Sequence, residues 1–166
     1  MRSNSNESQN FEGSSDNCFC YQECLIHEND HNASYSPHLA NYRNYVLYHS
    51  EERIEKKLTK SDVNVNLNRL LFNKKEVEKY FLPMLKAEDD IEEGVEVCAY
   101  DDDGNLYSLI FKKWANKYYV LNGEWKIVFE NHKLQIDDMI KTWMFRHSKH
   151  TKLCLALEFE KIERQS

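Results

Sequence analysis

The chain has 166 residues, of which 41% are hydrophobic and 13% aromatic, so it can bury the core of one domain and carry a tail. Its formal net charge of −6 at pH 7 excludes a uniformly basic nucleic-acid binder, although a local charge asymmetry stays open. The 2 prolines and 4 glycines argue against a fibrous or linker-rich protein.

The cysteines and the N-terminus indicate a cellular setting. The segment 1–6 is polar and is followed by no apolar region typical of a secretory signal. No apolar run approaches the length needed to cross a membrane, so we expect no membrane partner. With 5 cysteines, an odd number, the sequence predicts an intracellular, reducing environment with free thiols.

Residues 1–50 are predicted to be an acidic, polar and largely disordered tail. Serine, asparagine, glutamine and glutamate dominate its first 16 residues, which is typical of disorder. A short docked helix at the end of the tail is an open alternative. It depends on the helical spacing of four residues, Tyr42, Tyr45, Val46 and His49.

The tail also contains a dense group of thiols and imidazoles, namely Cys18, Cys20, Cys24, His27 and His31. Such groups can hold zinc, but this spacing fits no standard finger and no apolar framework surrounds it. Reduced thiols in a soft tail are therefore favoured over a structural metal, and no cofactor is expected.

The folded domain is predicted to span residues 51–162, with 163–166 as a short C-terminal tail. Asn73 is expected to cap a helix with Glu76 as its capping partner, and Pro83 to close it. A second helix is predicted over Trp125–His132, with Ile127, Val128 and Phe129 against the core.

Alternating or continuous apolar runs predict seven strands. They are Arg53–Leu58, Leu70–Phe72, Gly94–Tyr100, Leu106–Lys112, Tyr118–Leu121, Met139–Arg146 and Lys152–Phe159. Asp101–Asn105 resembles a calcium loop, but the register would place Ala99 and Ile110 at ligand positions, so a plain hairpin turn is favoured. Many short strands with two short helices indicate a β-rich barrel or sandwich.

The segment Lys113–Lys117 is too long and too polar for a two-residue hairpin, and its residue types suit a groove-reading loop. Lysine neutralises phosphate, asparagine can bond a base edge in two places, and tryptophan can stack or wedge. An ordinary hairpin with Trp114 packed on its own sheet is the alternative.

Charge is unevenly distributed along the domain. Segments 56–79 and 111–126 are cationic, whereas 86–104 is strongly acidic. Such a field would orient the molecule on a polyanion, while the acidic side would weaken the overall attraction.

Several short motifs occur in order between about Ile54 and Phe159. They are Lys57–Val63, Asn68–Phe72, Glu78–Phe81, Gly104-x2-Tyr107, Phe111–Trp114, Tyr119–Leu121, Gly123-x-Trp125 and Asp138–Ile140. In this order they resemble the plant-specific B3 DNA-binding domain, and the chain is most similar to the small single-B3-domain plant proteins.

The resemblance implies a mainly β (α+β) fold: a seven-stranded open pseudo-barrel with two short helices. It also implies two loops, here called the first arm (60–69) and the second arm (113–117), that read the DNA major groove. Carried over by position, the DNA-binding residues are Lys60, Ser61, Asn66, Asn68 and Arg69 on the first arm, and Lys113, Trp114, Asn116 and Lys117 on the second.

The function implied is sequence-specific binding of double-stranded DNA by a plant transcription factor in the nucleus, with other transcription proteins as further partners. The alternative is a protein-interaction module that kept the barrel and lost DNA binding. A catalytic role would need a site built from His132, His147, His150 and Cys154. A buried, inert cysteine and solvated histidines are the favoured interpretation, so no enzyme is expected.

Overall fold

The computed structural model describes residues 45–164, and the structural statements below concern these residues. The strands are β1 (Val46–His49), β2 (Ile54–Lys57), β3 (Leu70–Phe72), β4 (Val95–Tyr100), β5 (Leu106–Trp114), β6 (Tyr118–Gly123), β7 (Met139–His147) and β8 (Leu153–Glu160). Helical segment α1 consists of an α-helical turn (Lys74–Glu76), a π-helical turn (Val77–Phe81) and a 3-10 turn (Leu82–Met84). Helix α2 spans Trp125–Asn131.

The strands form one sheet in the order β1-β7-β8-β4-β5-β6-β3, and β2 also pairs with β7. Among the described strands, β4 and β8 are the parallel pair, and the other neighbours are antiparallel. The sheet is open between β2 and β3, and the first arm connects these two strands. A mostly β, open sheet with two short helices was predicted, and the structure confirms it.

The sheet has one strand more than the predicted seven, because β1 forms from residues assigned to the tail. Val46 pairs with His147, and Tyr48 pairs with Arg146. The alternative of a short helix here is therefore wrong for Val46–His49. Four residues cannot distinguish helical from strand periodicity, and backbone pairing with β7 decides the outcome.

Two hydrophobic clusters lie on opposite faces of β7 and β8. Met144 and Leu155 join the larger cluster, which also receives Phe81 from α1 and Trp125 from α2. Phe145 and the residues of β7 and β8 that share its face join the smaller cluster. Since successive side chains of a strand point to opposite faces, both strands carry apolar residues on both faces, as predicted for 139–146.

The two helical segments follow most of the local sequence signals. The Asn73 side chain accepts hydrogen bonds from Lys75 N (2.9 Å) and Glu76 N (3.4 Å), which confirms the cap. Pro83 lies inside the final 3-10 turn instead of ending the helix before it. In α2, Ile127 is 45% exposed, contrary to the expectation that it packs on the core.

No helix within residues 45–164 has both the length and the apolar character required to cross a bilayer.

Candidate nucleic-acid interface

The base of the first arm is organised by the buried carboxylate of Asp62. Its oxygens accept from Thr59 N (2.7 Å), Thr59 Oγ1 (2.8 Å) and Leu71 N (3.1 Å), and Lys56 Nζ lies 2.9 Å away. The Asp62 carbonyl accepts from Trp125 Nε1 at 2.7 Å. The Lys56 ammonium also bonds the Leu71 carbonyl, so it links β2 to β3 across the sheet opening. Asp62 was not among the predicted site residues, and the available signal was that it is the single acid within residues 56–75.

The tip of the first arm is a compact turn built by Asn64. Its side chain accepts from Asn66 N at 2.8 Å, and its carbonyl accepts from Leu67 N at 3.0 Å. The Asn66 side chain is exposed, and two apolar neighbours flank it, Val65 (46% exposed) and Leu67 (43%). The tip therefore presents one amide between two aliphatic side chains.

Near the base of the arm, Lys60 is exposed and Ser61 is partly buried. The Ser61 hydroxyl lies 3.2 Å from the Thr59 hydroxyl. Within residues 45–164, the ammonium of Lys60 and the amide of Asn66 make no hydrogen bond or ion pair, so both groups are available to a ligand.

Asn68 fixes the first arm to the β6–α2 corner. Its Nδ2 donates to the Gly123 carbonyl (2.9 Å), and its Oδ1 accepts from Lys126 N (2.8 Å). Its φ of 46° is in the left-handed region that asparagine tolerates. At Gly123, φ is 75° and a Cβ would lie 2.9 Å from the Ser108 carbonyl, so this corner accepts only glycine easily. Because its amide is engaged on both sides, the structure assigns Asn68 a positioning role.

The second arm is shorter than predicted. Lys113 and Trp114 belong to β5, where they pair with Tyr119 and Tyr118 of β6. The turn itself is the three residues 115–117, closed by a hydrogen bond from Lys117 N to the Trp114 carbonyl (3.2 Å). The expectation of a loop from residue 113 is thus wrong by two residues, because ladder pairing extends the strands.

The backbone of this turn is left-handed at two successive residues. Ala115 has φ 56° and Asn116 has φ 55°. Both residues and Lys117 are exposed, and the Asn116 carbonyl accepts from Lys74 Nζ at 3.4 Å. The side chains of Asn116 and Lys117 make no hydrogen bond or ion pair in the described chain, so the tip offers an amide and a cation to solvent.

Lys113 faces the acidic loop instead of the tip. Its backbone N donates to the Ile91 carbonyl at 2.9 Å, and its Nζ lies 3.6 Å from Glu92 Oε2. The same loop is held at Asp89, which pairs with the buried Arg146 guanidinium. The loop is therefore fixed where its charge offsets that of Lys113.

The two arms meet through Arg69 and Trp114. The Arg69 Cζ is 5.1 Å from the centroid of the Trp114 ring, which is tilted against Tyr118 with ring centroids 6.3 Å apart. The contact with Tyr118 agrees with the alternative that Trp114 packs on its own sheet, although Trp114 remains 45% exposed. The contact of Arg69 with Trp114 brings the two arms to the same side of the molecule.

A groove of about 640 Å³ lies beside this junction. Its lining includes the cationic side chains Lys56, Lys74, Lys75 and Lys117. Of these, Lys56 is committed to Asp62, and Lys74 lies 4.0 Å from Glu78. The groove is also lined by Glu55 and Glu76, so lysines outnumber carboxylates along it and part of their charge is compensated.

The histidines and the cysteine considered for a catalytic site are buried or packed against neighbouring side chains. His147 is buried, contrary to the expectation that it is solvated, and its ring stacks on His150 with centroids 3.9 Å apart. Burial, together with the neighbouring charges of His150 and Lys149, lowers the pKa of His147 to about 4. Cys154 is buried, as predicted.

The Asp101–Asn105 turn joins β4 to β5 as a plain hairpin turn, as predicted. The buried Asp101 carboxylate accepts from Asn105 N (2.8 Å) and Tyr107 Oη (2.9 Å), and His132 Nε2 lies 2.7 Å from it. Burial alone would raise the pKa of Asp101, but the hydrogen bonds from Asn105, His132 and Tyr107 outweigh it and hold the pKa below its ordinary value.

The cysteine and histidine group of the predicted tail lies outside the described residues. That group is Cys18, Cys20, Cys24, His27 and His31.

Comparison with known proteins gives consistent matches. The model of a family described as "B3 domain-containing protein At2g31720-like" matches residues 38–161. The chain is 36% identical over 111 residues to the putative B3 domain-containing protein At4g03170 of Arabidopsis thaliana, covering 66% of this chain and 44% of that protein. It is 30% identical over 109 residues to the putative B3 domain-containing protein At4g03160 of the same plant, covering 65% and 57%.

Among solved structures, the chain is similar to the one described as the Arabidopsis FUS3–DNA complex. The sequence identity is 25% and the TM-score is 0.50, with 66% of this chain and 96% of that chain covered. The chain spans about half the length of the curated relatives described above.

Proposed function

Because the chain belongs to the B3 domain family of plant proteins, we propose that it binds double-stranded DNA in a sequence-specific manner and regulates transcription in the plant nucleus. The observation that carries the proposal is the contact between Arg69 and Trp114, which brings two loops of complementary chemistry to one side of the sheet. A structure of a family relative bound to DNA has the same fold, which supports the choice of ligand.

The side chains of the two arms differ in the polar group that each leaves available to DNA. Asn66 and Asn116 expose unengaged amides, which suit adenine, and Arg69 suits guanine. Lys60 and Lys117 expose ammonium groups for phosphates. In this scheme the first arm and the second arm enter one major groove together, and they are carried by the predicted unit 51–162 extended by β1.

Two of the carried-over residues have supporting roles in this proposal. Asn68 is engaged by Gly123 and Lys126, so it sets the path of the first arm. Lys113 is offset by Glu92 and contributes little to phosphate binding. In the proposal Ser61, which lies next to Lys60 at the base of the arm, contacts the backbone of the duplex.

Random-site selection on the intact chain at low salt tests the proposal. We expect one enriched sequence, with binding that weakens as salt rises because phosphate contacts release counterions. Arg69→Ala and Asn116→Gly should each lose about 1–3 kcal/mol of discrimination at one base pair. Glycine is used at 116 because it retains the left-handed turn.

Lys117→Gln and Lys161→Gln form a matched pair of charge changes. Lys117 lies at the tip of the second arm, whereas Lys161 bonds the Lys133 carbonyl beyond β8. The first change should weaken binding to all sequences alike and reduce the salt slope by about one, and the second should leave both unchanged. Equal effects of the two changes would contradict an interface at the arms.

The exposed Val65 and Leu67 favour a second candidate, a protein-interaction module that has lost DNA binding. Aliphatic groups at the arm tip also suit thymine methyl groups, so the observation fits both functions. Selection that enriches no sequence at low salt would support the interaction module. In either case we propose a binding role and not catalysis, since the matched family consists of B3 domain proteins.

A further inference from the structure

The guanidinium of Arg69 has hydrogen-bond donors that lack an acceptor in the described chain. Within residues 45–164 its guanidinium makes no hydrogen bond or ion pair, and its Nη1 is buried without a partner. Its surroundings are instead the face of the Trp114 ring, 5.1 Å from Cζ. An unsatisfied donor is unfavourable, and Nε and Nη2, which are not buried and also have no partner among the described residues, are the donors that a ligand acceptor would satisfy.

The Trp114 ring suits the task of holding a guanidinium. A guanidinium stacks on an indole face through its own plane, and its N–H donors then lie at its edge; in Arg69 the edge formed by Nε and Nη2, which are not buried, is the one that a bidentate acceptor can reach. The ring is itself held, since Trp114 pairs with Tyr118 across the β5–β6 ladder and their rings are in contact. The strand ladder therefore fixes the surface on which Arg69 lies.

We propose that Trp114 is a positioning residue for Arg69: its ring holds the guanidinium at the angle from which two N–H groups meet one guanine edge, so that the base preference of the first arm depends on the second arm. The inference rests on the proposed DNA-binding function and adds a division of labour to it. Trp114 then acts through Arg69 and is not a wedge between base pairs.

The stack can be tested in the free protein. The other two tryptophans, Trp125 (0% exposed) and Trp143 (7%), are buried, so acrylamide quenching reports mainly on Trp114. Arg69→Ala should increase quenching by uncovering the ring, and Trp114→Phe should remove the component that changes. Unchanged quenching in Arg69→Ala would overturn the stack itself, whether or not DNA is bound.

A double-mutant cycle with random-site selection tests the coupling. Arg69→Ala and Trp114→Ala should each lose about 5- to 150-fold of preference at the same base pair, and the double variant should lose no more than either. Trp114→Phe, which keeps an aromatic face, should retain most of the preference. Losses at different base pairs, or losses that multiply, would show an independent DNA contact and overturn the proposal.

A matched control is present elsewhere in the chain. Arg53 lies over the Trp143 ring, with Cζ 5.4 Å from its centroid, at the end of β2 away from the first arm. Arg53→Ala removes the same charge and the same kind of contact, and should leave base preference unchanged. If the unaltered chain enriches no sequence, the proposed DNA binding fails, and the quenching result still decides whether the stack exists.

Discussion

Replacing Asp62 by alanine is the sharpest test of how the first arm is held. The substitution removes the acceptor of Thr59 N, Thr59 Oγ1 and Leu71 N, all within 3.1 Å, and leaves the Lys56 ammonium, whose side chain is 19% exposed, without its carboxylate. Three lost hydrogen bonds contribute about 1 kcal/mol each. Breaking a buried pair by removing one partner costs about 3–5 kcal/mol in total. We therefore expect the free energy of unfolding to fall by about 4 kcal/mol.

Urea unfolding followed by circular dichroism measures this loss. Asp103→Ala is the control, because it removes the same charge from an exposed position in the β4–β5 turn. Lys56→Met combined with Asp62→Ala should recover part of the loss, since no unpaired buried cation then remains. A change below about 1 kcal/mol for Asp62→Ala, or one equal to that of Asp103→Ala, would refute the assignment of Asp62 as the organising residue.

Three further changes test the charge, the pH response and the anchoring of this region. Glu92→Gln frees Lys113 and should raise duplex affinity about two- to fivefold at low salt but not at high salt, by fluorescence anisotropy. The pKa of His147 is lowered to about 4 in the folded protein, so between pH 6.5 and pH 4 the unfolded chain binds a proton that the folded chain does not. The free energy of unfolding should therefore be full above pH 6.5 and fall from there towards pH 4. His147→Phe should flatten that fall in unfolding curves measured against pH. Asn68→Ala should lower the free energy of unfolding by about 2 kcal/mol through two lost hydrogen bonds, while Asn66→Ala should change it little; equal thermal shifts would contradict the division between anchor and reader.

Seven of the eight described strands could be predicted from local pattern, whereas β1 and the ends of the second arm could not. Alternation identified β4 and β8, and the Asn73 cap marked the start of α1. The sequence places Lys113 and Trp114 in a loop because the segment that they begin is too long and too polar for a two-residue hairpin. Pairing across the ladder to Tyr119 and Tyr118 keeps them in β5, and only a left-handed turn at residues 115 and 116 makes so short a connection possible.

The roles of the site residues depend on contacts that sequence spacing does not contain. Asn68 and Asn66 are alike in type and two residues apart, yet Asn68 is bonded to Gly123 and Lys126 while Asn66 is exposed. Resemblance to a family selects both asparagines for the arm. Only tertiary structure separates the residue that sets the loop from the residue that can meet a base, because the difference arises from long-range hydrogen bonds.

If the chain binds DNA as proposed, its distribution of charge limits how strongly it binds DNA of arbitrary sequence. The chain carries a formal net charge of −6, and several cations beside the arms are offset, as Lys56 is by Asp62 and Lys113 by Glu92. Each compensated cation means fewer released counterions, and this term supplies most of the affinity for arbitrary DNA. In the proposed function, amides and a stacked guanidinium add affinity mainly at matching base pairs. Because phosphate contacts add to specific and non-specific affinity alike, the ratio of the two affinities, which is the quantity that matters among many competing sites, is then set by these base contacts.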